Sequence, residues 1–108
     1  MALEQWSENI VILHLSDDPQ FAEDMQGLGA HVSKNRGIVL DFAGVRYVNS
    51  SNISQLLKLR KQLITTDAKL VLCNVNTQVW GVFLITGLDK IFEFADNLFT
   101  ALASIQME

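Results

Sequence analysis

The sequence has little cysteine and proline, and it lacks long apolar runs. Its single cysteine, Cys73, allows no internal disulfide, which fits a reducing compartment. It has a single proline, Pro19, and no apolar run long enough to span a membrane. The N-terminal segment carries a glutamate where a signal peptide needs basic residues. We therefore expect a cytoplasmic protein without direct membrane insertion.

Positive charge is also scarce, with 8 Lys and Arg against 12 Asp and Glu, and a net charge of −4. Because nucleic-acid affinity depends on clustered cations, the sequence predicts no nucleic-acid partner. It contains no histidine–cysteine spacing typical of a metal site and no glycine-rich phosphate loop, so we expect no metal and no cofactor. A serine–histidine–aspartate set could be assembled on paper from Ser51, His14 and Asp41, but no Gly-x-Ser-x-Gly elbow supports it, and we reject it. The sequence predicts no catalytic residues and a protein that is not an enzyme.

Apolar residues make up 49% of the 108 positions, enough for the core of one domain over residues 1–108. Short apolar runs rich in β-branched residues alternate with amphipathic segments. The runs predict strands at residues 10–15, 37–42, 69–75 and 90–94. The order β-α-β-α-β-α-β-α predicts an α/β fold with a largely parallel sheet. The last strand is short and flanked by charge, so we expect it at an edge.

Helix boundaries are indicated by capping residues. The segment Asp17–Pro19 predicts acidic caps with proline at the first helical position, and Gly37 offers a left-handed stop for this helix. Asn76 is predicted to cap the third helix, which ends at Gly87. Asp96 is predicted to cap the last helix.

The stretch Asn49–Ile64 predicts the second helix and the site of greatest functional interest. Asn52 with Gln55 three residues later fits a variant of the capping box, which places Ser50 and Ser51 at or just before the N-cap. Backbone N–H groups at a helix start are unpaired and the helix dipole is positive there, so this position favours a phosphate group. From the residues alone, simple helix capping is the favoured explanation of the two serines.

Four other residues have structural explanations. Asp41, at the end of a strand, is expected to hydrogen-bond to the following turn. His14 and His31 have no second ligand at metal spacing and are expected to be structural or surface residues. Cys73 lies in an apolar strand and is expected to be a buried small hydrophobe.

The stretch Leu40–Ile53 resembles the STAS domain, the fold of anti-sigma factor antagonists. Members typically read D-[LF]-x-x-[VL]-x-[FY]-[IVM]-D-S-[ST]-G-[IVL] between a strand and a helix. The residues that match this pattern are Asp41, Phe42, Val45, Tyr47, Val48, Ser50, Ser51 and Ile53. The downstream strands are also similar, so the resemblance covers nearly the whole chain. It implies a mixed, mostly parallel sheet of four to five strands with about four helices packed on it. Asn49 and Asn52 depart from the pattern, which has Asp and Gly there.

The resemblance also implies a function in transcription regulation. In antagonists of this family, an anti-sigma factor that is a serine kinase of the histidine-kinase-like ATPase type phosphorylates a serine at the helix start. A metal-dependent serine phosphatase reverses this, and the unphosphorylated antagonist binds the anti-sigma factor. By position in the motif the acceptor is Ser50, with Ser51 as the alternative. The implied partner-binding residues are Asn49, Ser50, Ser51, Asn52 and Gln55. An alternative is an unswitched STAS subunit of a lipid-transport or stress-sensing complex, in which the two asparagines reflect lost kinase recognition.

Overall fold

The computed structural model describes residues 2–106 and, within that range, every side chain except those of residues 33 and 34. This part of the chain forms five strands and four α-helices, which alternate from the second strand onward. The strands are β1 (Leu3–Gln5), β2 (Ile10–Ser16), β3 (Gly37–Gly44), β4 (Lys69–Cys73) and β5 (Glu93–Ala95). The helices are α1 (Gln20–Leu28), α2 (Ser50–Thr66), α3 (Thr77–Thr86) and α4 (Leu98–Gln106). Two 3-10 helices, Gly29–Lys34 and Leu88–Lys90, follow α1 and α3.

The strands form one sheet in the order β1-β2-β3-β4-β5. Strands β2 to β5 are parallel, and β1 runs antiparallel to β2 with Glu4 opposite Ile12. The predicted α/β class with a mostly parallel sheet is confirmed. The sequence analysis missed β1, because Leu-Glu-Gln has no alternating apolar pattern and forms a strand only by pairing with β2.

The two faces of the sheet carry separate cores. Helices α1, α2 and α3 pack on one face, and α4 packs on the other. Successive strand residues point to opposite faces, so Val11 and Leu13 enter the first core while Ile10 and Ile12 enter the second. Coverage of both faces explains the nearly continuous apolar runs of the central strands.

The structure corrects the predicted ends of the first helix. Pro19 is the N-cap residue of α1 rather than its first helical residue. The carboxylates of Asp17 and Asp18 hydrogen-bond to residues that follow β3 instead of capping α1. Gly37 is not a left-handed helix stop but the first residue of β3. A Cβ atom there would lie 2.6 Å from Cγ2 of Ile105, so glycine allows α4 to approach the sheet closely.

The predicted start and end of α3 are confirmed. The Asn76 side chain accepts a hydrogen bond of 2.8 Å from the backbone N–H of Val79. Gly87 ends the helix with a left-handed φ of 77°. At α4 the capping residue is Asn97, whose Oδ1 accepts from the N–H of Thr100 at 2.8 Å, so the prediction of Asp96 is wrong.

The last strand lies at an edge of the sheet, as predicted. It spans Glu93–Ala95 rather than residues 90–94, because the chain before it forms the 3-10 helix Leu88–Lys90. The neighbouring strand β4 ends at Cys73, two residues earlier than predicted. Asn74 then takes a left-handed φ of 57°, which asparagine tolerates better than most residues.

Candidate functional site at the start of helix α2

Three loops meet at the carboxyl ends of β2, β3 and β4. The loop after β2 carries Asp17 and Asp18, and the loop after β3 leads from Val45 to the start of α2. The loop after β4 contributes Asn76, whose Nδ2 donates a 3.0 Å hydrogen bond to the carbonyl of Val45. In parallel α/β sheets, this edge is where ligands and partners are usually bound.

A capping box built from two asparagines starts α2. Asn49 is the N-cap residue, and its Oδ1 accepts a 2.8 Å hydrogen bond from the N–H of Asn52. In return, the N–H of Asn49 donates to Oδ1 of Asn52 at 3.1 Å. The predicted pairing of Asn52 with Gln55 is therefore wrong. Ser50 and Ser51 consequently occupy the first two helical positions rather than the N-cap or the residue before it.

Asp18 holds the amide nitrogens of both asparagines. Nδ2 of Asn49 donates to its carboxylate at 3.0 Å, and Nδ2 of Asn52 donates to both oxygens at 3.2 and 3.1 Å. Each amide thus uses its oxygen for the helix backbone and its nitrogen for Asp18. An aspartate at either position would lose a donor and bring a second negative charge against Asp18. This contact explains physically why amides stand at both positions.

A second aspartate orders the loop that precedes α2. The backbone N–H of Arg46 donates to Oδ1 of Asp17 at 2.8 Å, and its Nε donates to Oδ2 at 2.7 Å. These hydrogen bonds from Arg46 lower the pKa of Asp17 and raise that of Arg46. Asp17 and Asp18 together fasten the first loop of the site to the second.

The sequence analysis did not find the role of these two aspartates. They lie 29 to 34 residues before the groups they bind, so no local pattern connects them. The one available signal was the acidic pair itself. Because Pro19 follows it, this pair predicts a helix cap.

The two serines are exposed at the surface of the first turn of α2. The first intrahelical hydrogen bond runs from the N–H of Ile53 to the carbonyl of Asn49, so the N–H groups of Ser50 and Ser51 precede the helical ladder. Within residues 2–106, neither serine hydroxyl is hydrogen-bonded to a side chain that could act as a general base. The serines are therefore accessible hydroxyl groups beside free backbone donors.

The structure brings four of the five predicted partner-binding residues together in the first turn. Asn49 is exposed like the two serines, whereas Asn52 is 2% exposed and serves the capping network from inside. Gln55 lies one turn further on, half-buried in a groove between α1 and α2 that Met25 and Lys58 also line. Oε1 of Gln55 is buried and has no hydrogen-bond partner among the described residues.

Asp41 forms the predicted hydrogen bond to the following turn, accepting from the N–H of Ala43 at 3.0 Å. It also contacts Asn74 and His14. Burial raises the pKa of Asp41, but the hydrogen bonds from Asn74, Ala43 and His14 outweigh burial, and the net shift is downward. His14 meets Asp41 as in the rejected catalytic set. Its second ring nitrogen faces Glu4 rather than Ser51, so that set does not form.

Cys73 is buried, as predicted, and burial raises the pKa of its thiol to about 12. Among the residues that the structure describes, no group of three or more His, Cys, Asp or Glu side chains could hold a metal ion. None of the helices within residues 2–106 is both long enough and apolar enough to cross a membrane.

A mostly parallel α/β sheet with a Ser-Ser pair opening the helix after its central strand is the arrangement of a STAS domain. The model of the STAS domain family matches residues 3–104, and the chain belongs to that family, which confirms the resemblance noted in the sequence. The chain is 34% identical over 87 residues to BtrV of Bordetella bronchiseptica, which is named as a candidate anti-sigma factor antagonist. The match covers 79% of this chain and 75% of that protein.

Solved structures share the fold at lower identity. The anti-sigma factor antagonist SpoIIAA in its unphosphorylated form is 18% identical with a TM-score of 0.82, covering 98% of this chain and 96% of that one. Its phosphorylated form from Bacillus is 17% identical with a TM-score of 0.68, covering 86% and 88%. A chain of the stressosome, described as a signal integration and transduction hub, is 16% identical with a TM-score of 0.79, covering 97% and 96%.

Proposed function

We propose that this chain is an anti-sigma factor antagonist, an interaction module that binds an anti-sigma factor through the start of α2. The observation that carries the proposal is the exposed pair Ser50 and Ser51 in a first turn held fixed by Asp18. The 34% identity to BtrV supports the same function. A fixed, exposed helix start suits a docking surface, because little conformational freedom is lost on binding.

The proposal includes a phosphorylation switch at Ser50, with Ser51 as the alternative acceptor. Neither hydroxyl has a base among the described residues, so an external enzyme must transfer the phosphoryl group. We propose that the anti-sigma factor itself does so, as a serine kinase of the histidine-kinase-like ATPase type. A metal-dependent serine phosphatase would remove the group.

The physical chemistry of the first turn favours a phosphate in the free protein and opposes it in a complex. A phosphate adds about −1.5 to −2 charges, and the free N–H groups and the helix dipole at this position stabilise it. In an interface, the same group must lose its water. Weakening a complex a hundredfold takes about 2.7 kcal/mol, which one desolvated phosphate can supply.

Asp18 places a negative charge beside the helix start in both states. No cation among the described residues forms an ion pair with it, and its partners are the neutral amides of Asn49 and Asn52. The helix start therefore already carries one negative charge before phosphorylation. A phosphate on Ser50 would add a second anionic group near Asp18, and its repulsion from an acidic partner surface would distinguish the two states.

Peptide mass spectrometry of the protein isolated from its native host tests the switch. Cleavage after Arg46 and Lys58 releases one peptide that contains Ser50, Ser51 and Ser54. We expect phosphate on this peptide, lost in the Ser50→Ala variant and retained in Ser51→Ala. Ser54→Ala is the matched control, because Ser54 is also exposed but lies beyond the first turn.

The alanine variants identify the serine that accepts the phosphate. Phosphate that is lost in Ser51→Ala but kept in Ser50→Ala assigns the neighbouring serine. Phosphate that is lost only in Ser54→Ala contradicts a switch at the helix start. A pull-down with the wild-type chain should capture an anti-sigma factor, and Ser50→Glu should weaken that capture about a hundredfold, the effect set by about 2.7 kcal/mol.

The second candidate is an unswitched STAS subunit of a stress-sensing or lipid-transport complex. The capping box favours this function, because the amides of Asn49 and Asn52 are neutral and are both hydrogen-bonded to Asp18. The similar fold of the stressosome chain supports it as well. Absence of phosphate under all growth conditions, together with co-purification in a large assembly, would select this function over the switch.

A further inference from the structure

A polar cluster lies on the sheet face that α4 covers, opposite the face on which α2 packs. His14 of β2 stands between Glu4 of β1 and Asp41 of β3. Its Nε2 lies 2.9 Å from Oε1 of Glu4, and its Nδ1 lies 2.8 Å from Oδ2 of Asp41. One imidazole ring therefore connects an edge strand to the strand beyond its own.

Both contacts can be hydrogen bonds only when the ring is protonated. A neutral imidazole carries a single N–H group, so its other nitrogen would direct a lone pair at a carboxylate oxygen. An imidazolium ion donates from both nitrogens. Asp41 cannot turn away, because its other oxygen accepts from Ala43 and Asn74 at 3.0 and 2.9 Å.

We propose that protonated His14 fastens the edge strand β1 to the sheet, and that this attachment weakens as the pH rises. The strand is only three residues long, and its other attachments include backbone hydrogen bonds such as that from the N–H of His14 to the carbonyl of Ala2, at 3.0 Å. Leu3 adds a partly buried contact with the core. Two charge-assisted hydrogen bonds are a large addition to so short a strand.

Among the residues that the structure describes, the groups that face His14 are acidic or neutral. Glu4 comes from β1 and Asp41 from β3, while the thiol of Cys73 on β4, with a pKa of about 12, stays neutral. Helix α4 carries no ionisable side chain. The hydrogen bond to Glu4 raises the pKa of His14 most, burial lowers it, and Asp41 raises it again, for a net rise.

The direction of the pH effect follows from this rise. A histidine whose folded pKa is raised above the ordinary value of 6.5 contributes its full stabilisation below that pH. The contribution is lost as the pH rises through the folded pKa. One proton released on opening changes the opening constant by up to about tenfold per pH unit within that window.

Nuclear magnetic resonance of the intact chain tests the proposal without any partner. Ring ¹⁵N shifts of His14 should show the doubly protonated ring as the majority form at pH 6.5. The N–H of His14 donates to the carbonyl of Ala2, and the N–H of Trp6 donates to the carbonyl of Ile10. Hydrogen exchange of these two amides should report an equilibrium constant for opening of the β1–β2 pair that rises up to about tenfold per pH unit. This rise should disappear in His14→Gln and persist in His31→Gln, the control for loss of an imidazole.

Two results would overturn the proposal. One is a singly protonated His14 ring at pH 6.5, and the other is the same pH dependence of amide opening in His14→Gln as in the wild type. If His14→Gln does not fold, Glu4→Gln removes only the outer carboxylate of an exposed residue. It should lower the pKa of His14 and flatten the dependence, and an unchanged pKa would contradict the proposal.

Discussion

The structure at the start of α2 is held by hydrogen bonds between amide and carboxylate side chains. Asn52 is buried and makes three kinds of contact, with the N–H of Asn49, with the Asn49 side chain and with Asp18. Both asparagines depart from the family pattern. Their shared contact with Asp18 is a physical reason for both departures.

Replacement of Asn52 by aspartate tests the importance of this network. Asn52→Asp removes the donor to Asp18 and buries a second carboxylate beside it, so we expect a loss of about 2–4 kcal/mol in the free energy of unfolding. Urea denaturation measures the change. The double variant Asp18→Asn with Asn52→Asp should recover part of the loss, because the like charges no longer meet.

Asn97 provides the matched control at another helix start. Its Oδ1 accepts from Thr100 in the same way, but no hydrogen bond from its amide nitrogen occurs among the described residues. Asn97→Asp should therefore change the stability by less than about 0.5 kcal/mol, because aspartate caps equally well. An Asn52→Asp variant as stable as Asn97→Asp would contradict the role given to Asp18.

At the scale of elements, three helices start with an asparagine side chain that accepts from the helix backbone. These are Asn49 for α2, Asn76 for α3 and Asn97 for α4. Asn76 has a further contact, because its Nδ2 donates to the carbonyl of Val45 in the loop that leads to α2. The start of α3 thus supports the loop before the candidate site.

Alanine substitution separates capping from this support. Asn97→Ala should cost about 1 kcal/mol for a lost cap, and Asn76→Ala about 2 kcal/mol, because the carbonyl of Val45 also loses its donor. Chemical denaturation of both variants measures the difference. Equal losses would show that the contact with Val45 does not contribute to stability.

At the scale of the whole molecule, aromatic rings connect the helices through the larger core. Phe42 of β3 contacts Phe21 of α1 and Phe83 of α3 edge-on, with ring centroids 6.1 Å apart in both pairs. Phe83 in turn lies 5.4 Å from Phe94 of β5. Phe42 is therefore the centre of the packing between two helices and the sheet.

The same substitution at two phenylalanines tests this description. Phe42→Ala, at a residue 1% exposed, should cost about 3–5 kcal/mol, a large part of the stability of a domain this size. Phe99→Ala, on α4 and 82% exposed, should change stability by no more than about 0.5 kcal/mol. Thermal denaturation measures both, and comparable losses would contradict the assignment of Phe42 to the core.

The elements that the sequence predicted are those with a local pattern. The apolar runs of β2, β3 and β4 and the cap of α3 at Asn76 depend on neighbouring residues, so they could be identified directly. Strand β1 lacks an apolar alternation and forms only by pairing with β2, whereas Asp18 binds side chains 31 and 34 residues later in the chain. No local pattern marks either of them, and the pairing of Asn49 with Asn52 was hidden by the equally plausible pairing with Gln55.

The central position of Cys73 has a practical consequence. Its thiol is fully buried in the core between the sheet and α4 and is protonated at neutral pH, so a soluble disulfide or alkylating reagent cannot react with it while α4 is in place. Reaction therefore requires β4 to lose its cover. The rate at which this one sulfur is modified therefore reports how often the core between the sheet and α4 opens.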